Sequence, residues 1–170
     1  MATEGKKTCD MIKFQLNSHL ENKSVVLLGI RQNKVMNWMQ NEKVSLNFRM
    51  KAENLPWDPA DLLLDDNFEI DKNTVIRGNM IDVYFQNPIK VFPNSKYILA
   101  CMCESKWWQA FSGGCKKTYN EKSENQIENE KEPFLFFETK QHEAPEDFKL
   151  NNTNLENGQL HTFIYAIEQE

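Results

Sequence analysis

Three large aromatic residues beside a glycine turn are the strongest candidates for a binding function. Trp107, Trp108 and Phe111 come just before a turn-forming Ser-Gly-Gly triplet. Aromatic rings bury a large area at low cost in side-chain entropy, so they are common anchors of protein-binding surfaces. Because neighbouring residues of an extended chain face opposite ways, we expect one tryptophan in the core and the other either at an interface or also in the core. The predicted partner-binding residues of this segment are Lys106, Trp107, Trp108, Gln109, Phe111, Ser112, Gly113 and Gly114.

A second candidate segment, near the end of the sequence, is dense in asparagine. Asn and Gly tolerate left-handed backbone, and Asn side chains cap their own turns. The composition therefore predicts either a hydrogen-bonded loop that fixes strand register or a polar surface that adds specificity beside the aromatic segment. In the second case the partner-binding residues are Asn151, Asn152, Thr153, Asn154, Asn157, Gly158 and Gln159.

The residues that could support catalysis or bind a metal do not form a known pattern. Cys101, Cys103 and Cys115 lack the paired spacing of a structural zinc site, and a C-x-C pair on one strand face is typical of small buried residues. The histidines are scattered, so no thiol has an evident base. Asp65-Asp66 and Glu69–Asp71 lack the glycine and the closing Glu of a calcium loop, and we interpret them as solvated loop carboxylates. Since phosphate-loop, zinc-protease, nucleophile-elbow and dinucleotide motifs are also absent from the sequence, we predict no catalytic residue, no metal site and no cofactor.

Composition and charge narrow the class of protein further. The net charge of -5 and the pI near 5.3 argue against a surface for duplex nucleic acid. No run approaches the ~20 apolar residues of a membrane span, and the polar start of the sequence lacks a secretory h-region. We therefore expect a cytoplasmic protein with reduced cysteines. A hydrophobic content of 40 % is sufficient for one core in 170 residues.

The elements that must position these residues are predicted to be strands. Apolar and polar residues alternate along three segments, as in half-buried antiparallel strands, and four short apolar runs indicate more deeply buried strands. Turn signals separate them, so roughly ten or more short strands of a sandwich or barrel are expected, with little or no helix. Asp58 before Pro59 predicts one helical turn. The predicted strands are Met11–Leu16, Val25–Ile30, Val44–Met50, Ile81–Phe85, Tyr97–Cys103, Phe134–Phe137 and Phe163–Ile167.

The sequence divides into one domain with two peripheral segments. Residues 9–168 are expected to form the single domain, after a flexible N-terminal segment at 1–8. Residues 119–132, rich in Asn, Glu, Lys and Ser, predict a mobile insertion between two strands.

Three stretches, in order, are similar to the motifs of one protein family. Cys9–Phe14 reads C-D-M-I-K-F and is followed by V-L-L-G-I at Val26–Ile30, similar to the opening strands of that family. Asn87–Tyr97 reads N-P-I-K-V-F-P-N-S-K-Y and is similar to its x-P-V-x-L-x-P-N-x-x-Y. Asn151–Leu160, with the strand from Phe163 to Tyr165, is similar to its closing N-G-T-x-V-x-x-G-Q-I motif. The sequence therefore resembles the PHR domain of the Pam, Highwire and RPM ubiquitin ligases, which also occurs in BTB-domain adaptors of ubiquitin ligases. The glycine-rich loop of this family corresponds here to the segment that contains the two tryptophans.

This resemblance implies a jelly-roll-like antiparallel β-sandwich without catalytic activity. It also implies a protein-interaction module that recruits a substrate or regulator to a ubiquitin-ligase complex and is a monomer as an isolated domain. The alternative is a lectin-like jelly roll whose aromatic segment stacks on carbohydrate. The expected cytoplasmic location weighs against this alternative.

Overall fold

The computed structural model describes residues 6–33, 44–70, 74, 76, 80–105, 117–120, 133–146, 148–150 and 160–168. These residues form ten strands and three single 3-10 turns, and no α-helix occurs among them. The strands are β1 Lys6–Leu16, β2 Ser24–Asn33, β3 Val44–Ala52, β4 Leu64–Ile70, β5 Met80–Val91, β6 Lys96–Ser105, β7 Lys117–Asn120, β8 Phe134–Phe137, β9 Lys149–Leu150 and β10 Leu160–Glu168.

Two sheets pack face to face as a sandwich, which confirms the predicted fold class. The larger sheet has the order β4-β3-β6-β1-β8, and β9 also pairs with β1. The smaller sheet has the order β5-β2-β10-β7. Nearly all neighbours are antiparallel; two short pairs, β1 with β9 and β10 with β7, are parallel. The 3-10 turns are Ser18–Leu20, Pro59–Asp61 and Gln141–Glu143.

The alternation of apolar and polar residues determines which side chains enter the core. Ile12, Phe14 and Leu16 of β1 are buried between the sheets, while Lys13 and Gln15 of the same strand are only partly covered. Rings from both sheets meet in the centre in edge-to-face geometry, which suits the charge distribution of aromatic rings. The ring centroids of Phe14 and Phe163 are 4.8 Å apart and those of Phe134 and Phe163 are 5.5 Å apart.

The structure corrects one detail of the sequence interpretation. Asp65, Asp66 and Glu69 lie in β4, not in a loop, because β4 pairs with β3 along its whole length.

Two strands reach into the expected peripheral segments. β1 begins at Lys6, because the backbone from Lys6 onward pairs with β6. β7 includes Tyr119 and Asn120, which pair with β10; residues 121–132 lie outside the described residues.

The predicted helical turn is confirmed. Pro59–Asp61 forms a 3-10 turn with Asp58 at its N-cap, and the Asp58 carboxylate accepts a hydrogen bond from the Ala60 backbone N–H at 3.3 Å. Proline suits the first position because its missing N–H would have no partner there. Within the described residues, no helix has the length and apolar character needed to cross a membrane.

A second apolar cluster covers the outer face of the larger sheet. Residues from β1 and β6 that point away from the main core pack under the segments before β4 and after β8, so this sheet is buried on both faces over part of its area. The cluster consists of Cys9, Met11, Ile98, Ala100 and Met102, with Trp57, Ala144 and Phe148 packed against it.

A β-bulge interrupts the central strand of the smaller sheet. Leu28 has no register partner on β10 or on β5, because the pairing on both sides passes directly from Leu27 to Gly29. β5 has four residues, 85–88, opposite this single residue. The bulge brings Gly29 very close to β5, and a Cβ atom built on Gly29 would lie 2.1 Å from the Val83 carbonyl oxygen. Only glycine fits without movement of the backbone.

Candidate functional site

The strand ends next to both candidate segments lie at one end of the sandwich. We call it the upper end: the end at which β1 begins. Ser105, the last residue of β6, is opposite Lys6, the first residue of β1. Leu160, which begins β10, is opposite Gln32 near the end of β2. Residues 106–116 and 151–159 therefore join strands that end or begin here, and sandwich domains often carry binding residues on such connections.

The candidate residues themselves, 106–114 and 151–159, lie outside the described residues. The connections 34–43 and 71–79 also start and finish at upper-end strand positions, since Asn33 is opposite Met80 and Val44 is opposite Ile70. The strand ends that flank four connections thus lie at this end, and two of these connections contain the candidate residues.

Below the upper end, two hydrogen bonds join the two sheets through buried polar groups. The Asp10 carboxylate of the larger sheet accepts a hydrogen bond from the Leu160 backbone N–H of the smaller sheet at 3.0 Å. The Cys101 thiol contacts the Gln32 side-chain oxygen at 3.7 Å in the second cross-sheet link. Asp10 and Cys101 are opposite each other in register, as are Gln32 and Leu160. We call these four residues the polar clamp.

The polar clamp is enclosed in an otherwise apolar interior. The side chains of Asp10, Gln32 and Cys101 are 0 % exposed, and Leu160 is also buried. Buried polar groups cost free energy unless they are hydrogen-bonded, so their position argues for a specific structural role. Gln32 Nε2 is the one clamp nitrogen that has no hydrogen-bond partner among the described residues.

Sequence reasoning missed the polar clamp, although the sequence contains a signal for it. Asp10 has the same parity as Ile12 and Phe14, and Gln32 the same parity as Ile30, so both polar residues occupy core-facing positions of alternating strands. A charged or amide side chain at such a position is rare and needs a partner. The missing information was the identity of that partner, which depends on cross-sheet register.

The described cysteines are buried free thiols. Burial, and secondarily the neighbouring Asp10 carboxylate, raises the pKa of the Cys9 thiol to about 12, so the reactive thiolate is scarce near neutral pH. Cys101 contributes to the polar clamp. Nothing is described of the Cys103 side chain or of Cys115, and the described residues contain no group of three or more His, Cys, Asp or Glu that could hold a metal ion.

A separate ionic cluster holds two segments against the outer face of the larger sheet. Lys13 Nζ lies 2.6 Å from a Glu143 carboxylate oxygen and 3.1 Å from one of Glu53. Lys51 donates to the Glu53 carbonyl oxygen at 3.0 Å and lies 5.1 Å from the centroid of the Trp57 ring. The Trp57 indole N–H donates to the Glu143 carbonyl oxygen at 2.8 Å. These contacts connect residues 53–57 to residue 143 through strands β1 and β3. The ionic cluster therefore has a structural role.

The pKa shifts in this cluster follow from burial and charge. Burial alone would raise the pKa of Glu143, but hydrogen bonds from Lys13 and the Lys140 backbone, with the Lys13 charge, outweigh it and leave the pKa below its ordinary value. For Lys13, burial lowers the pKa, but the Glu143 and Glu53 carboxylates outweigh this effect and raise it. Burial dominates at Lys51 and lowers its pKa.

We expect Glu143→Gln to lower the free energy of unfolding at neutral pH by about 1.5–3 kcal/mol, because it weakens a charge-assisted contact to Lys13. A carboxyl whose pKa is depressed by folding stabilises the protein above its ordinary value of 4.5, and this stabilisation is lost as pH falls through the lower folded value. Chemical denaturation between neutral and acidic pH should therefore show less loss of stability in the variant than in the parent.

Glu146→Gln is the matched control, because Glu146 is exposed in the same segment and has no ion pair among the described contacts. It should change stability by less than about 0.5 kcal/mol. Equal acid sensitivity of the parent and Glu143→Gln would contradict the assigned role of Glu143.

Two sheets packed face to face around an aromatic core define a β-sandwich domain. The family model for the PHR domain matches residues 3–166, nearly the whole chain, and the chain belongs to this family. Membership in this family indicates a protein-interaction module. A search of curated proteins found no match.

Proposed function

We propose that this domain is a non-catalytic module that recruits a substrate or a regulatory protein to a ubiquitin-ligase-related complex. The observation that carries the proposal is the PHR family match over residues 3–166. In the same proposal the domain acts in the cytoplasm, as a monomer when isolated, without a cofactor.

We place the partner-binding surface at the upper end, on residues 106–114 and 151–159. The position of the flanking strand ends supports this choice, because Ser105 and Leu160 both lie at that end. The polar clamp supports it as well, since cross-sheet hydrogen bonds at Asp10 and Gln32 hold the two sheets in fixed relation directly below. Binding residues are most effective on a rigid base, because less entropy is then lost when the partner binds.

A pull-down from cell lysate with the tagged domain, read by mass spectrometry, tests the class of partner. Enrichment of ubiquitin-ligase subunits or their substrates is the expected result. Glycoproteins that are released by free sugar would contradict it and favour the lectin-like alternative.

With a partner identified, we expect Trp107→Ala and Trp108→Ala to differ in their effects. The variant that removes an interface ring should keep its melting temperature and lose at least ~30-fold in affinity, about 2 kcal/mol. The variant that removes a core ring should instead lower the melting temperature. Calorimetric titration and thermal unfolding of both variants provide the two measurements.

Phe92→Ala is the control for loss of an exposed aromatic ring. Phe92 is 53 % exposed and follows β5 at the opposite end of the sandwich, where Val91 is opposite Val25. Its replacement should leave the affinity unchanged. If both tryptophan variants fold and bind like the parent protein, the interface lies away from residues 106–114.

A further inference from the structure

A groove of about 360 Å³ runs between β4 and β5 along one side of the sandwich. β4 is the edge strand of the larger sheet and β5 is the edge strand of the smaller one. In the described part of the chain β4 pairs only with β3, and β5 only with β2, so each has one backbone edge without a strand partner. Unpaired strand edges are sites where an extended segment of another protein can add.

The groove has an apolar base and a polar rim. Phe48 and Val83 form its floor but are 0 % and 2 % exposed, so half-buried Phe68 of β4 supplies accessible ring surface. Tyr84 of β5 also lines it, and this aromatic residue is 51 % exposed. Asp65 and Asp66 line the β4 side. Aromatic surface next to carboxylates suits a ligand side chain with an apolar stem and a positive head group.

Asp66 is the distinctive residue of this groove. It has the same parity as Leu64 and Phe68, so it occupies a core-facing position of β4, and it is half-buried. One of its carboxylate oxygens accepts a hydrogen bond from the Gln86 backbone N–H at 2.9 Å. This bond connects β4 to residues 85–88 of β5, which lie opposite the bulge at Leu28. A partly desolvated carboxylate attracts a cation more strongly than a fully solvated one.

The charges around the groove are predominantly negative. Neither lysine nor arginine is among its lining residues in the described structure. In the described ion pairs, Arg49 Nε lies 3.6 Å from an Asp65 carboxylate oxygen, so the charge of Asp65 is partly balanced while Asp66 has no ion pair among them. Carboxylates above an apolar base complement a lysine or arginine side chain, whose methylene groups pack while the head group forms charge-assisted hydrogen bonds.

We propose that the β4–β5 groove binds an extended segment of a partner protein and that a lysine or arginine of this segment contacts Asp66. The site lies on the side of the sandwich, apart from the upper end, and does not depend on the function assigned to residues 106–114 and 151–159. It is a second contact surface, specific for an extended basic peptide.

The test is a titration of the ¹⁵N-labelled domain with a short, end-blocked peptide of alternating valine and threonine that carries one central arginine. Amide shifts should change along β4 and β5. A matched peptide with citrulline, the neutral analogue of arginine, should bind at least ~10-fold more weakly. Higher salt concentration should lower the affinity of the arginine peptide more than that of the citrulline peptide, because salt screens exposed charge contacts.

Two variants of the same strand separate a specific contact from general negative charge. Asp66→Asn removes the charge, but its amide oxygen can still accept from the Gln86 N–H, so the variant should fold and bind the arginine peptide at least ~10-fold more weakly. Glu69→Gln removes the same charge from an exposed residue of β4 that does not line the groove. It should weaken binding less than ~2-fold.

The proposal is overturned if the β4 and β5 amides do not respond, if the citrulline peptide binds equally well, or if the two variants weaken binding equally. A core-facing charge on an edge strand can also serve only to prevent sheets from joining edge to edge. In that case Asp66→Asn would self-associate in analytical ultracentrifugation while the arginine peptide fails to bind the parent protein. That pair of results would overturn the proposal and assign Asp66 this protective role.

Discussion

Gly29→Ala is expected to lower the free energy of unfolding by about 4 kcal/mol. The new Cβ would lie 2.1 Å from the Val83 carbonyl oxygen and 3.0 Å from the Tyr84 Cα. Both are backbone atoms, so no side-chain rotation can relieve the contact. β2 and β5 must separate locally, which disrupts the smaller sheet on one side of its central strand.

Thermal unfolding should show a fall of roughly 10 °C in the melting temperature for a domain of this size. Ser45→Thr serves as the control, because it adds one methyl group to an exposed residue of β3. Its effect should stay within about 0.5 kcal/mol. A Gly29→Ala protein as stable as the parent would contradict the close approach of β2 and β5.

The second large effect is expected for Asp10→Ala, which removes the hydrogen bond of the polar clamp between Asp10 and Leu160. The Leu160 backbone N–H would be left buried without its acceptor, and a small void would remain beside it. An unsatisfied buried group costs about 1–3 kcal/mol, and together with the void we expect a loss of about 3 kcal/mol. Asp10→Asn keeps an oxygen of similar position and should cost about 1 kcal/mol.

Hydrogen exchange locates this effect. The Leu160 amide should exchange faster in Asp10→Ala, beyond any change explained by global stability. Asp82→Ala is the matched control, since it removes an ion pair between Asp82 and Arg31 at a partly exposed position of β5. Because Arg31 contacts both Asp82 carboxylate oxygens, this variant should also cost about 1.5–3 kcal/mol but leave the relative protection of the Leu160 amide unchanged. Unchanged protection of Leu160 in Asp10→Ala would show that the cross-sheet hydrogen bond does not form in solution.

The sequence predicted the strands well, because alternation is a local property. The core-facing residues Phe14, Phe48 and Val83 were assigned correctly from patterns of five to seven residues. The helical turn at Pro59–Asp61 was also predictable, since Asp58 and Pro59 act on their immediate neighbours. The resemblance to the PHR domain was confirmed by the family match.

Features that depend on contacts between distant strands were not predictable. The hydrogen bond from Leu160 to Asp10 joins residues 150 positions apart, and nothing near either residue specifies the other. The need for glycine at position 29 arises from the bulge at Leu28, which is a property of three adjacent strands. The interpretation of Asp66 as a loop residue failed because two adjacent carboxylates resemble a loop when strand pairing is unknown. The candidate residues 106–114 and 151–159 remain a prediction.

The position of β10 has a consequence for folding during protein synthesis. β10 follows the other nine strands in the chain, yet it lies inside the smaller sheet, between β2 and β7. While the ribosome is still making the residues before Leu160, β2 lacks one of its two partner strands, so the backbone edge that β10 will cover is open. Pairings of such long sequence separation form slowly, and open edges invite association with other chains. The smaller sheet of the nascent domain therefore stays incomplete until β10 has been made. We expect chaperones to bind the nascent domain until residue 168 has emerged.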